Sequence, residues 1–142
     1  MECSRRDLGL LLSALLAPRT VFSSDEGVLP AKAYRFEDLP VKTKDENSSR
    51  AILAGKTHTG CGISISENDI APGGMPHPPH HHETAQALLV FEGTFEVTIA
   101  GERTLLGPGS VAYLASNVEH GIKNVGTTHA KYFSVTLGGS KA

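Results

Sequence analysis

From Gly62 onward the chain is written in short runs where apolar and polar residues take turns. Gly, Pro or Asn breaks each run before it reaches helical length. Ile63 and Ile65 alternate with Ser64 and Ser66, and Phe95, Val97 and Ile99 alternate with Glu96 and Thr98. Phe133, Val135 and Leu137 repeat the pattern near the end. A period of two is that of a strand with one face buried. Arg103–Leu106 follows the Ala100-Gly101-Glu102 turn, and Val111–Leu114 follows Gly107-Pro108-Gly109. The mature chain has neither internal repeats nor helical periodicity of useful length. The pattern predicts an all-β domain, an antiparallel barrel or sandwich, and 142 residues suit one such domain.

The N-terminus is set apart. Paired Arg5 and Arg6 precede a short apolar stretch, Leu8–Ala17, and small residues follow. That order reads as an export signal, residues 1–23, and Ser4-Arg5-Arg6-Asp7-Leu8 resembles the twin-arginine pattern. An ordinary secretory signal with two chance arginines is the alternative. Ten apolar residues are too few for a membrane span, which needs about 20. Residues 24–33 read as a linker and 34–142 as the folded domain, so the mature protein is expected in the bacterial periplasm, free of the membrane. It then carries formal charge −3 and a single cysteine, Cys61. No intrachain disulfide is open to it, and neither nucleic acid nor an anionic membrane suits it as a partner.

Tyr34–Leu39, ended by Pro40, reads as a first short strand. Lys42–Arg50 is polar throughout and reads as a solvated loop. Ala87–Phe91 differs from the other strands because both its faces are apolar: Leu88 and Val90 on one, Ala87, Leu89 and Phe91 on the other. Its second face needs cover, from the N-terminal segment or from a second subunit, and a homodimer is the expectation.

Four of the seven histidines, His77, His80, His81 and His82, fall within six residues. On a strand His80 and His82 project from one face, with Gln86 in the same parity, while His81 and Glu83 point away. Two imidazoles on one strand face, joined by a third from a neighbouring strand, are a normal way to hold a divalent ion.

Gly74, His80, His82, Gln86 and Gly93 reproduce the spacing Gly-x5-His-x-His-x3,4-Glu-x6-Gly, with Gln in place of Glu. Gly109, Ala115, Asn117, His120 and Asn124 fall on Gly-x5-Pro-x-Gly-x2-His-x3-Asn, with Ala for Pro and Asn for Gly. Through these two motifs the chain resembles the cupin superfamily over residues 60–137. Asn tolerates the left-handed backbone that a turn Gly adopts, so that departure is mild. The resemblance implies a single-domain double-stranded β-helix, the jelly-roll barrel, with metal ligands His80, His82, Gln86 and His120. Its wording looks like a group of small exported bacterial cupins whose reaction the motifs do not name.

Gln for Glu leaves the centre one negative charge short: a stronger Lewis acid, bound less tightly. Three His plus Gln is similar to the set of cupin hydroxynitrile lyases, which use manganese, and three-His sites also occur in iron cupin dioxygenases. The resemblance thus implies one divalent ion, Mn or Fe, with Zn, Ni, Cu and Co as alternatives. It also implies a small-molecule substrate and a dioxygenase or a lyase/isomerase. The rival is a non-catalytic ligand- or metal-binding barrel that has lost its carboxylate. His77, beside the pair, and His58, before the Thr59-Gly60 turn, are the candidate acid–base residues.

Overall fold

The computed structural model describes residues 27–138, which form two antiparallel sheets. The larger runs β1 (Val41–Lys44), β2 (Asn47–Lys56), β3 (Gly62–Ile70), β9 (Ala130–Leu137), β4 (Ala85–Glu92) and β7 (Val111–Leu114) in that spatial order. The smaller runs β6 (Glu102–Leu106), β5 (Phe95–Ile99) and β8 (His120–Asn124). From β4 onward the chain shuttles between the sheets, so residues far apart in sequence meet in one core. The domain is an all-β jelly-roll barrel. Among the described residues no helix is long and apolar enough to cross a membrane. The export signal at 1–23 and the start of the linker lie outside the described residues.

Alternation builds the interior as expected. Leu88 and Val90 of β4, Ala112 and Leu114 of β7 and Tyr132 of β9 face Phe95 and Val97 of β5 and Ile122 of β8, all buried. Phe95 meets the Tyr132 ring edge-on at 5.3 Å. Two motif residues lock this arrangement. Gly93 has φ +79°, and a Cβ there would lie 2.4 Å from that of Ala130. Asn124 is fully buried; its Nδ2 donates to the carbonyls of Ile70 and Thr128, each at 2.8 Å, and its Oδ1 accepts the Gly126 N–H at 2.9 Å.

Two expectations fail at the start of the domain. Tyr34–Leu39 is not a strand but surrounds a single 3-10 turn, Phe36–Asp38. Arg35 pairs locally with Glu37 and Asp38, and Arg50 holds the segment by stacking on Phe36, 4.4 Å from its centroid, and donating to the Leu39 carbonyl. Lys42–Arg50 is not a loop. It is the β1–β2 hairpin, with Lys44 opposite Asn47 across an Asp45-Glu46 connection where Asp45 takes φ 54°. A hairpin at a sheet edge is solvated widely enough to need no apolar alternation, so the sequence period carries no sign of it.

The second apolar face of β4 is confirmed as such. Leu89 and Phe91 are 38% and 41% exposed. They share the outer face with Phe133, stacked on Phe91 at 4.9 Å, and with Val111 and Tyr113. The described part of the N-terminal segment, from Gly27 on, lies elsewhere. Val28 pairs with Lys56 and Leu29 sits on Gly55, at β2, three strands away.

Candidate metal centre

His80, His82 and His120 converge at one end of the barrel, with their potential ligand atoms all within 4.8 Å of one another. Strand parity is only part of the reason. His80 pairs as a single bridge with His120, the first residue of β8, through two backbone hydrogen bonds of 3.0 and 2.9 Å. His81–Thr84 then leave regular strand geometry before β4 begins at Ala85. The His82 carbonyl accepts the Asn117 N–H at 2.7 Å, and Ser116 Oγ donates to the Glu83 carbonyl. Asn117 does adopt the left-handed backbone expected of it, with φ 61°. Gly121 lets Pro79 approach, since a Cβ there would meet Pro79 Cγ at 3.1 Å. His81 and Glu83 are exposed, pointing away as expected.

The three rings share one anchoring pattern. His80 Nδ1 donates to the Pro78 carbonyl at 3.2 Å and His120 Nδ1 to that of Val118 at 2.8 Å. His82 Nδ1 donates to the Thr84 carbonyl at 2.7 Å, with Thr84 Oγ1 at 3.0 Å. A carbonyl only accepts, so each Nδ1 carries a proton, and in the neutral ring that tautomer leaves Nε2 with the free lone pair that binds metal. His120 Nε2 is buried without a hydrogen-bond partner among the described residues. Burial is the largest cause holding His120 below the usual imidazole pKa, with the neighbouring His82 and His80 adding to it. An orphaned buried nitrogen aimed at two other imidazoles fits a divalent cation.

Gln86 lies one row inside the barrel from these rings, in register with Thr136 on one side and buried Leu114 on the other. Its Nε2 donates to Ser134 Oγ, which leaves the amide oxygen free to accept or ligate. Within the three-imidazole group no carboxylate or thiol takes part among the described residues. His77 stands beside the group: its ring meets that of His80 edge-on with centroids 4.2 Å apart, and burial, more than the neighbouring imidazole, holds its pKa below the usual value. His58 lies in the exposed β2–β3 turn. That turn is on the same rim, but three strand spacings, about 14 Å of sheet, separate β2 from β4. Cys61 is free and exposed. Sequence reasoning missed Ser134 and Thr84, which hold the site's side chains, and Lys42, Lys44 and Asn47, which line a cleft beside His77. The Lys-x-Lys spacing of β1 was the available signal.

Comparison with known proteins agrees with this architecture. A family model described as a cupin domain matches residues 67–136. No curated protein sequence matches the chain. An RmlC-like cupin from Shewanella frigidimarina superposes with TM-score 0.64 at 18% identity, over 78% of this chain and 95% of that one. KdgF from a Halomonas species gives 0.68 at 16%, over 79% and 97%. The polyketide cyclase RemF from Streptomyces resistomycificus gives 0.61 at 16%, over 80% and 87%. Identities this low speak for the fold alone. Residues 67–136 thus match a cupin domain, and the solved structures, cupins among them, share the fold of this chain.

Proposed function

We propose that the protein is a metal-dependent cupin enzyme in which His80, His82 and His120 hold one divalent ion that acts on a small organic substrate as a Lewis acid. The reaction class favoured is lyase/isomerase, with a dioxygenase as the alternative chemistry. One observation carries the proposal: three imidazoles, each with its Nδ1 proton tied to a backbone carbonyl, turn their bare nitrogens on one point, one of them buried without a partner. The ion supplies a positive centre that polarises a substrate oxygen and stabilises charge developing on it. Three neutral ligands leave that charge undiminished, and Gln86, oriented by Ser134, adds an amide oxygen without cancelling it. The surrounding carbonyls keep the rings in one tautomer and one orientation. His77 is the nearer acid–base candidate, able to exchange a proton at the rim, and His58 the more distant.

The missing carboxylate favours one second reading, a barrel that binds metal or ligand without turnover. The test is elemental analysis of native protein and of His82→Ala, followed by turnover and oxygen-uptake assays against phenols, diketones and enols. Stoichiometric metal lost in His82→Ala supports the centre, and full occupancy retained there refutes it. Oxygen uptake selects dioxygenase chemistry; metal without any turnover selects the binding reading.

Three further parts of the proposal concern assembly and location. The outer face of Leu89, Phe91, Val111, Tyr113 and Phe133, open among the described residues, is met by the same face of a second copy about a two-fold axis. The leader at 1–23 directs twin-arginine export of the folded protein to the periplasm, and replacing Arg5 and Arg6 together by Lys blocks it. Folding before export traps Mn or Fe, whereas a site filled outside takes Cu or Zn by affinity order. Unchanged export of the Lys variant, or native protein loaded with Zn or Cu, refutes that part.

A further inference from the structure

Beside the metal centre lies a two-lobed cleft between the β1–β2 hairpin and the Met75–Pro79 segment. One lobe, about 380 Å³, is lined by Lys44, Asp45, Met75, His77, Pro78 and Pro79 among others. The second, about 250 Å³, adds Lys42, Ser49, Asn68 and Ile70. Lys44, Asn47, Pro76 and His77 line both, which makes the lobes neighbours. The segment is tied down across the cleft by Asn47, whose Nδ2 donates to the Met75 carbonyl at 3.2 Å and whose Oδ1 accepts the Ala71 N–H at 3.0 Å.

The charges in this cleft run against those of the chain. Lys42 lies opposite Ser49 and Lys44 opposite Asn47; Ser49 is opposite Asn68, and Asn68 opposite buried Tyr132. Alternation therefore turns both lysines to the inner side of the sheet. Neither has an ion-pair partner among the described residues. Asp45 is the one acid among the residues lining either lobe. A chain of formal charge −2 thus presents two free ammonium groups at a cleft whose walls are Met75, Pro76, Pro78, Pro79 and Ile70. Lysines also guard sheet edges against strand addition, but that role does not require both on the cleft side. At the other end of the cleft stands His77, its ring against that of His80.

We propose that this cleft binds a small organic acid, with its apolar, ring-sized body against Met75 and the prolines and its carboxylate at Lys42 and Lys44. The far end of the ligand passes His77 toward the three imidazoles. This deepens the metal-enzyme reading and rests on it only for the direction in which the reactive end points.

Benzoate and its neutral isostere benzamide are the probes. They are titrated into metal-loaded wild type, Lys42→Gln/Lys44→Gln and His82→Ala, followed by calorimetry and by amide chemical shifts. Thermal melting confirms that the exposed Lys variant is folded, and elemental analysis that it keeps its metal. The expected result is saturable benzoate binding that moves the amides of residues 42–49 and 75–79. It weakens at least fivefold in the double Lys variant and with added salt, and benzamide binds more weakly and is indifferent to the lysines. Binding retained in His82→Ala places the carboxylate at the lysines and not on the metal. The proposal is overturned if wild type shows no saturable benzoate binding, if the double Lys variant binds within twofold of wild type, or if benzamide binds equally well. Failure of the metal centre reads out separately, as absence of metal with lysine-dependent benzoate binding intact.

Discussion

Asn124→Leu removes the three hydrogen bonds of a fully buried side chain while keeping a side chain of similar size. The carbonyls of Ile70 and Thr128 and the N–H of Gly126 lose their partner at once. Each buried backbone group left unpaired costs about 1–3 kcal/mol, so the low end of the range already gives about 3 kcal/mol. That is a large part of the about 5–15 kcal/mol by which domains are stable. It corresponds to a fall of about 12 °C in Tm at roughly 4 °C per kcal/mol for a domain this size. Urea denaturation of metal-free wild type and variant is the assay, with the midpoint falling at unchanged m. The three bonds join the end of β3, the end of β8 and the turn before β9, so the loss falls on the frame that carries His120. A change below about 1 kcal/mol would show that water or relaxed backbone satisfies these groups, and would refute the assignment of Asn124 as the lock of the second motif.

Gln86→Glu is expected to tighten metal binding at least tenfold, about 1.4 kcal/mol, because a carboxylate replaces an amide while Ser134 reverses its role from acceptor to donor; an affinity within threefold of wild type makes the centre a plain three-His site. Burial raises the Glu67 pKa above its usual value of 4.5, with Asp69 adding to it and Arg50, 3.8 Å away, opposing. The folded state therefore holds this proton more tightly than the unfolded chain, and ionisation costs stability as pH rises from about 4.5 through the raised value. In metal-free protein Glu67→Gln should gain on wild type between pH 4 and pH 7 by urea denaturation, and a gap that is constant or reversed contradicts the sign. Leu89→Lys and Tyr113→Lys place charges on the uncovered face and should convert a dimer to monomer in sedimentation; a wild type already monomeric at high concentration rules out the second copy.

Much of this protein was legible because its instructions are local. Alternation in Phe95–Ile99 and Phe133–Leu137 encodes which side is buried, since a strand places successive residues on opposite faces whatever its neighbours are. The two motifs held for a related reason. Gly93 and Asn117 sit at left-handed backbone, and His80, His82 and His120 carry chemistry that few other side chains can supply. What the sequence could not determine is everything that depends on a partner far along the chain. Polar Lys42–Arg50 became a hairpin because β3 offers β2 an edge, and Tyr34–Leu39 lost its strand because Arg50 holds it from above. His80 pairs only as a single bridge and His82 leaves strand geometry, yet their rings converge with His120 because backbone bonds to His120 and Asn117 aim them. Only tertiary structure brings Lys42 and Lys44 to the cleft where His77 stands, because side-chain direction at a sheet edge is set by register. Register is a contact between segments that no local pattern contains.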